Sequence, residues 1–395
     1  MESILLKDII QKPISGEWGL EDLYGTGIPV LRTANFTNEG IINFENVVTR
    51  NISPSKLKGK LLQKGDILLE KSGGSDRQPV GRVVYFDGQA DKYGFNNFTS
   101  ALRISDLTMW NPKYIFYALY ANYHHGGTRK YENKTTGLHN LKVDLFIRSF
   151  SVPYATLIKQ NEIVKKLDLL NHLENVCEVQ LQKLDELIKS RFLEMFGEPW
   201  VNDKEFPCYS VGQVAESVTY GTSAPASDSG QYEYLRMNNL TDNGQLDLSD
   251  LKRIDMSDEQ AEKYMVKKGD ILFNRTNSID LVGKTALFNL NNPMIIAGYL
   301  IRIRLSDKVN PVYFVAYMNM PYMKEKLRNI AKGAVNQANI NSKELKSIQI
   351  LIPPLSLQNE YCNFVLSIDK SKLAVRPFSC NKKDCDCSQS FLLYP

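Results

Sequence analysis

Histidine is scarce in this chain, with four in 395 residues. Two of these, His124 and His125, are adjacent, so on a helix or a strand they point apart and make no pair of metal ligands. A Ser/His/Asp or Cys/His catalytic arrangement has little to draw on. The six cysteines are uneven: Cys177, Cys208 and Cys362 are far apart, and Cys380, Cys385 and Cys387 crowd the end. They form no disulfide framework, and the terminal group lacks the paired C-x2-C of a structural zinc site. No apolar run is long enough to span a bilayer. The opening MESILLKDII lacks the basic and apolar regions of a secretory signal. A reducing, cytoplasmic location and no membrane partner are therefore expected.

Nucleotide motifs are missing as well. Val282–Thr285 reads VGKT, like the end of a phosphate-binding loop, but Ser278 stands where that loop needs glycine. IPPL at 352–355 has Ile where an amino-methyltransferase carries its reactive Asn. Charge of one sign is not in large excess either. Lys and Arg total 48 against 44 Asp and Glu, a net of +4, so any site for a polyanion must be a local patch.

What the chain does have is a repeat. QKGDILLEKSGG (63–74) recurs as KKGDILFNRTNS (267–278), with the Gly-Asp-Ile-Leu core displaced by 204 residues. The same shift places Leu31-Arg32 on Leu235-Arg236. PVGRVVYF (79–86) matches LVGKTALF (281–288), NLKVDLFIRSFSVP (140–153) matches INSKELKSIQILIP (340–353), and Gln160-Asn161-Glu162 matches Gln358-Asn359-Glu360. The offset drifts slowly from 204 to 198, as a duplication with small loop deletions would leave it.

Each copy reads as β-rich and then helical. The Gly-Asp-Ile-Leu run and the following GRVVYF or GKTALF predict two strands joined by a polar loop. Asn111-Pro112 and Asn310-Pro311 predict helix starts, with Asn as cap and Pro at the first turn. From Leu157 to Phe196 there is neither Gly nor Pro. Apolar residues recur there at heptad spacing, including Ile163, Leu167, Leu170, Leu181, Leu184 and Ile188, which predicts a long helix packed on another helix. Forty residues at 1.5 Å each give about 60 Å. The organisation expected is therefore a first domain over 1–152, a long helix over 153–198, a second domain over 199–352 and a second helix over 353–373. Residues 374–395 depart from the repeat and read as a frame-altered or truncated tail, which would weaken helix pairing.

Asp66, Glu70 and Lys71 invite comparison with a metal-dependent nuclease. The second copy keeps Asp270 but replaces Glu70 with Asn274, so the shared Asp reads as a turn residue bonding local backbone. The duplicated GDIL strand, the apolar-Pro segment, the following Gln-Asn and the long helix together resemble the DNA specificity (S) subunit of type I restriction-modification systems, over residues 1 to about 373.

That resemblance implies an α+β fold of two target recognition domains, each followed by a long helix, the helices pairing as an antiparallel coiled coil. It implies a non-catalytic, sequence-specific binder of double-stranded DNA in which each repeat reads one half of a bipartite site. The helices would set the spacing and dock methyltransferase (modification) subunits, with restriction/translocase subunits joining them. No cofactor is expected on this chain; S-adenosylmethionine, ATP and Mg would sit on the partners.

Basic and amide side chains suit base edges and phosphates. The loop after the repeated strand offers Lys71, Arg77, Arg82, Arg275, Asn277 and Lys284. A second loop offers Arg129, Lys130, Lys134, Lys332, Asn336 and Gln337. Each has the alternative of a solvated loop side chain. Tyr131 could stack on a base, and Arg32 and Arg236 fit a shared turn as well as a phosphate contact. A two-headed binder of carbohydrate or peptide would also be built as a repeat.

Overall fold

The computed structural model describes residues 2–76, 78–135, 138–331 and 338–375, less the side chains of 134, 135 and 138. Two compact units divide the chain at 176/177, inside the long helix Leu157–Phe196.

The units share one strand plan. In the first, an antiparallel sheet runs in the order Ile14–Ser15, Thr99–Leu102, Ile67–Glu70, Val83–Tyr85. In the second, the corresponding order is Ala215–Tyr220, Leu300–Leu305, Ile271–Asn274, Thr285–Leu287. Each unit adds a second four-stranded sheet containing one parallel pair, Ile28–Leu31 with Gly94–Phe95 and Tyr232–Leu235 with Met294–Ile296. Each also ties a strand near its start to one near its end, Ser3–Leu5 with Ser151–Pro153 and Cys208–Ser210 with Gln349–Leu351.

The repeated GDIL run is apolar throughout because both of its faces are covered. Successive strand residues point to opposite sides. Ile67 and Leu69 enter the core beneath the helix Pro112–His124, and Leu68 enters the core between the two sheets. Ile271 and Phe273 divide from Leu272 in the same way. A one-residue slip would exchange the two sets, which fixes the register.

Just before this strand, Gly65 and Gly269 take φ of +96° and +97°, a region that favours glycine. The following Asp caps the turn: Asp66 Oδ2 accepts from Gln63 N at 2.8 Å, and Asp270 Oδ2 from Lys267 N at 2.9 Å. The sequence reading of this Asp as a turn residue holds. Each is also forked by an arginine, Arg103 just after the neighbouring strand Thr99–Leu102 and Arg304 within Leu300–Leu305. Arg103 donates to Asp66 at 2.8 Å from both Nε and Nη2, and Arg304 donates to Asp270 at 2.9 and 3.3 Å.

The expected Asn caps are present. Asn111 accepts from Lys113 N and Tyr114 N, and Asn310 accepts from Val312 N. The second copy's helix stops at Met318 and restarts as Pro321–Ile330.

Gln-Asn at the head of each long helix turns out to be a clamp. Gln160 Oε1 accepts from Asn111 N at 2.8 Å, while its Nε2 donates to Met109 O and Ala155 O at 3.0 and 2.8 Å. Gln358 repeats this on Asn310 N, Lys308 O and Pro353 O at 2.8, 3.3 and 2.8 Å. Asn161 and Asn359 accept from the side chains of the same two Asn caps.

The first half of the long helix docks on the first unit. Ile163 and Leu167 lie in that unit's core, beside Tyr114 and Phe146. This corrects their expected place on a helix-pairing seam: heptad spacing marks an apolar stripe but not what covers it. Leu170 is exposed.

The second half pairs antiparallel with the helix Leu355–Val375. Asp185 meets Lys372 at 2.6 Å, Arg191 meets Glu360 at 2.9 Å, and Phe192 and Phe196 pack edge-on to the Tyr361 ring. Ile188 is half-buried against this aromatic group, and Leu181 and Leu184 are half-buried farther along the helix. The seam is thus built largely from aromatic residues and ion pairs. The tail expected to be atypical falls at 376–395, outside the described residues.

Candidate nucleic-acid interface

In each unit the fold brings together the two loops singled out from sequence. After Ile67–Glu70 the chain continues as Ser72–Gly74, which pairs with Leu138–Leu141, itself paired with Glu132–Thr135. In the second unit Thr276–Asn277 pairs with Ala338–Asn339, and Thr276 Oγ1 bonds Asn339 Oδ1 at 2.8 Å. Loops about 60 residues apart in sequence therefore emerge side by side.

At the junction stands one cation per unit, held by identical backbone bonds. Lys71 N donates to Phe98 O and Lys71 O accepts from Leu141 N, both at 2.8 Å. Arg275 N donates to Tyr299 O at 3.0 Å, and its O accepts from Ile340 N at 2.8 Å. Lys71 Nζ donates to Ser15 Oγ at 2.9 Å, and partial burial holds its pKa below the usual lysine value. The Arg275 guanidinium lies 4.9 Å over the Tyr220 ring and donates to Gly298 O. Among the described residues, no carboxylate neutralises either.

Other candidates are spoken for within the fold. Arg82 forks Glu70, with Nε and Nη2 each 3.0 Å from a carboxylate oxygen, and reaches Phe36 O and Thr33 O at 3.2 Å. Glu70 is only 2 % exposed. It ends a buried strand, so the loop that differs between the copies begins after it. The same pairing holds the Arg82 guanidinium charged, its pKa raised although burial opposes this. Lys284 meets Asp242 at 3.1 Å. Asn277 accepts from Ser278 N.

Arg129 and Lys130 are exposed; Arg129 donates to Asp76 O, and Lys130 lies 5.1 Å over the Tyr131 ring. Tyr131 itself is buried edge-on to Phe146, which removes it as a stacking residue. Arg32 and Arg236 fix corresponding turns, each N–H donating to an Asn three residues on. Arg236 also pairs with Asp250 at 2.7 Å. Arg77, Lys332, Asn336, Gln337 and the side chain of Lys134 lie outside the described residues.

Sequence reasoning missed His139. This residue is buried, with Nδ1 2.9 Å from Glu132 Oε2 and Nε2 3.6 Å from Asp76 Oδ1, while Glu132 Oε1 accepts from Val80 N. The trio ties the first loop to the hairpin below it. An isolated His in a polar stretch gave no signal of this. Among the described residues no group of His, Cys, Asp and Glu is placed to hold a metal ion, and no helix is long and apolar enough to cross a membrane.

Residues 204–375 match the family model for the type I restriction modification DNA specificity domain. The second repeat thus carries a type I DNA specificity domain, and the chain as a whole is similar to type I specificity subunits. Similarity to this family extends over both repeats. The type I restriction enzyme EcoKI specificity subunit of Escherichia coli (strain K12) is 24% identical over 356 residues, covering 84% of this chain and 73% of that protein. The StySPI specificity subunit of Salmonella potsdam is 23% identical over 367 residues, covering 87% and 76%. The fold matches the S subunit of a type I restriction-modification system from M. genitalium with a TM-score of 0.59 at 12% identity, over 100% of this chain and 96% of that one. A chain from a type I restriction-modification assembly study matches at a TM-score of 0.52 and 14% identity, over 99% and 95%.

Proposed function

We propose that each unit reads one half of a bipartite site on double-stranded DNA, and that this chain gives its complex sequence specificity without doing chemistry itself. The carrying observation is the junction cation. Lys71 and Arg275 occupy the same backbone position in the two copies, unopposed by a carboxylate among the described residues, between loops whose other residues differ. A shared cation suits the phosphate backbone, which every site presents. Divergent loops suit two different half-sequences.

The long helices would hold the half-sites at a fixed separation and dock methyltransferase subunits, with restriction/translocase subunits completing the complex. S-adenosylmethionine, ATP and Mg²⁺ belong to those partners, and the cytoplasm is where such a complex meets DNA. Mapping of methylated adenines in cells expressing this chain with its methyltransferase partner tests the reading. A single bipartite motif with two unlike halves is expected, and exchanging residues 72–81, which leaves Lys71 and the Glu70–Arg82 pair in place, should alter one half only. Methylation with no shared motif, or DNA binding that does not weaken with salt, would overturn it.

A further inference from the structure

The second unit carries a group of cations beside its reading loops. Lys324, on the helix Pro321–Ile330, donates from Nζ to Gly283 O at 3.2 Å. Lys284, the next residue along, holds Asp242 at 3.1 Å, and that carboxylate is 77% exposed. Arg328, one turn further along the helix, adds a third positive charge near Lys324. Beneath the same hairpin Asn274 is fully buried, with neither Oδ1 nor Nδ2 partnered by protein. Its backbone bonds Gly283 N and Lys284 O, both at 2.8 Å. The first unit closes this corner internally, with Glu70 in the place of Asn274 and Arg82 in the place of Lys284, each satisfying the other.

We propose that Lys284, Lys324 and Arg328 form a seat for one phosphate of the nucleic-acid backbone, with Asp242 as the resident stand-in. The proposal rests on the DNA-reading role and adds a fixed point of contact to it, on the second unit. A largely buried ammonium faced by one exposed carboxylate is poorly compensated. Burial pushes Lys324 down to about 8, with Lys284 and Arg328 pushing the same way and Asp242 opposing. An oxyanion supplies the missing charge and takes several donors at once. The strand ending at Asn274 leads directly into Arg275 and the reading loop, so a phosphate held here sets the loop's position on the duplex. Phosphate contacts fix register and carry no sequence information.

The test is duplex binding by the full chain with its methyltransferase partner, followed across salt concentration for wild type, Lys324→Met, Lys324→Arg, Asp242→Asn and a control, Lys263→Met. Losing one phosphate contact lowers the slope of log K against log salt by about 0.9, which is roughly eightfold in affinity at 0.1 M salt. Lys324→Met should show that change and yet melt at a higher temperature than wild type, as a purely structural lysine would not. Lys324→Arg should keep the slope, Asp242→Asn should bind more tightly, and Lys263→Met should match wild type. A wild-type slope in Lys324→Met overturns the seat while leaving the DNA-reading role intact. Wild type that binds duplex without salt dependence removes both. Stabilisation by inorganic phosphate that needs Lys324, with an unchanged DNA slope, would make this a site for free phosphate and overturn the proposal.

Discussion

Replacing Gln358 with Ala should destabilise the second unit far more than an ordinary substitution at a helix start. Gln358 is fully buried and makes three bonds, two of them at 2.8 Å, to Asn310 N and Pro353 O. Truncation strands a donor and an acceptor that water cannot readily reach. Each such orphan costs about 1–3 kcal/mol, so the loss should be about 3 kcal/mol after some relaxation of the longer contact to Lys308 O. For a unit of this size that corresponds to a fall of about 6–12 °C in Tm. The assay is calorimetry or urea unfolding that resolves separate transitions, since a chain with two units need not unfold in one step. The second unit's transition should move and the first unit's should not, with Gln160→Ala giving the reverse. Gln358→Glu should be worse than Ala at neutral pH, because a carboxylate would face the carbonyls that now accept from Nε2. A loss under about 1 kcal/mol for Gln358→Ala would refute the clamp as a source of stability.

Two further outcomes are expected. Arg82→Ala leaves Glu70 buried and unpaired, and should cost about 3–5 kcal/mol in first-unit stability. The pair Glu70→Asn and Arg82→Lys, which copies the second unit, should cost less; urea unfolding of both variants checks this. Lys324 binds its proton more weakly folded than unfolded, about 8 against an ordinary 10.5. Wild-type stability relative to Lys324→Met should therefore rise as pH increases from 8 to 10.5, by at most about 3 kcal/mol. A flat difference in thermal melts across that window would contradict the assigned burial.

The duplication was legible because the residues that build it are kept in kind: the Gly-Asp turn, the Asn-Pro helix start and the Gln-Asn clamp. Their partners were harder to see. Arg103 and Arg304 reach Asp66 and Asp270 from 37 and 34 residues away, and nothing local marks them. Glu70 differs between the copies, and that difference counted in the sequence against a nuclease site. Its burial against Arg82 shows that scaffold residues diverge too when both members of a pair change together. Heptad counting found the apolar side of the long helix, yet Ile163 and Leu167 turn to their own unit's core. The seam is carried by Phe192, Phe196 and Tyr361, whose rings fit no simple repeat of aliphatic positions. The candidate interface was legible as two basic loops, while their adjacency depended on strand pairing across about 60 residues.

The clamp also bears on how such a chain can change. Gln160 and Gln358 grip mainly backbone groups, and the side chains they involve are the Asn at each helix start and the Asn following each Gln. Nothing in that grip depends on which bases the loops address. A foreign unit that carries the same Asn-Pro start, and apolar residues that pack on Ile163 and Leu167, would therefore seat on the existing helix. The joint behaves as a standard fitting, and on the proposed half-site reading a gene built this way would acquire a new half-specificity in one recombination event instead of by gradual substitution.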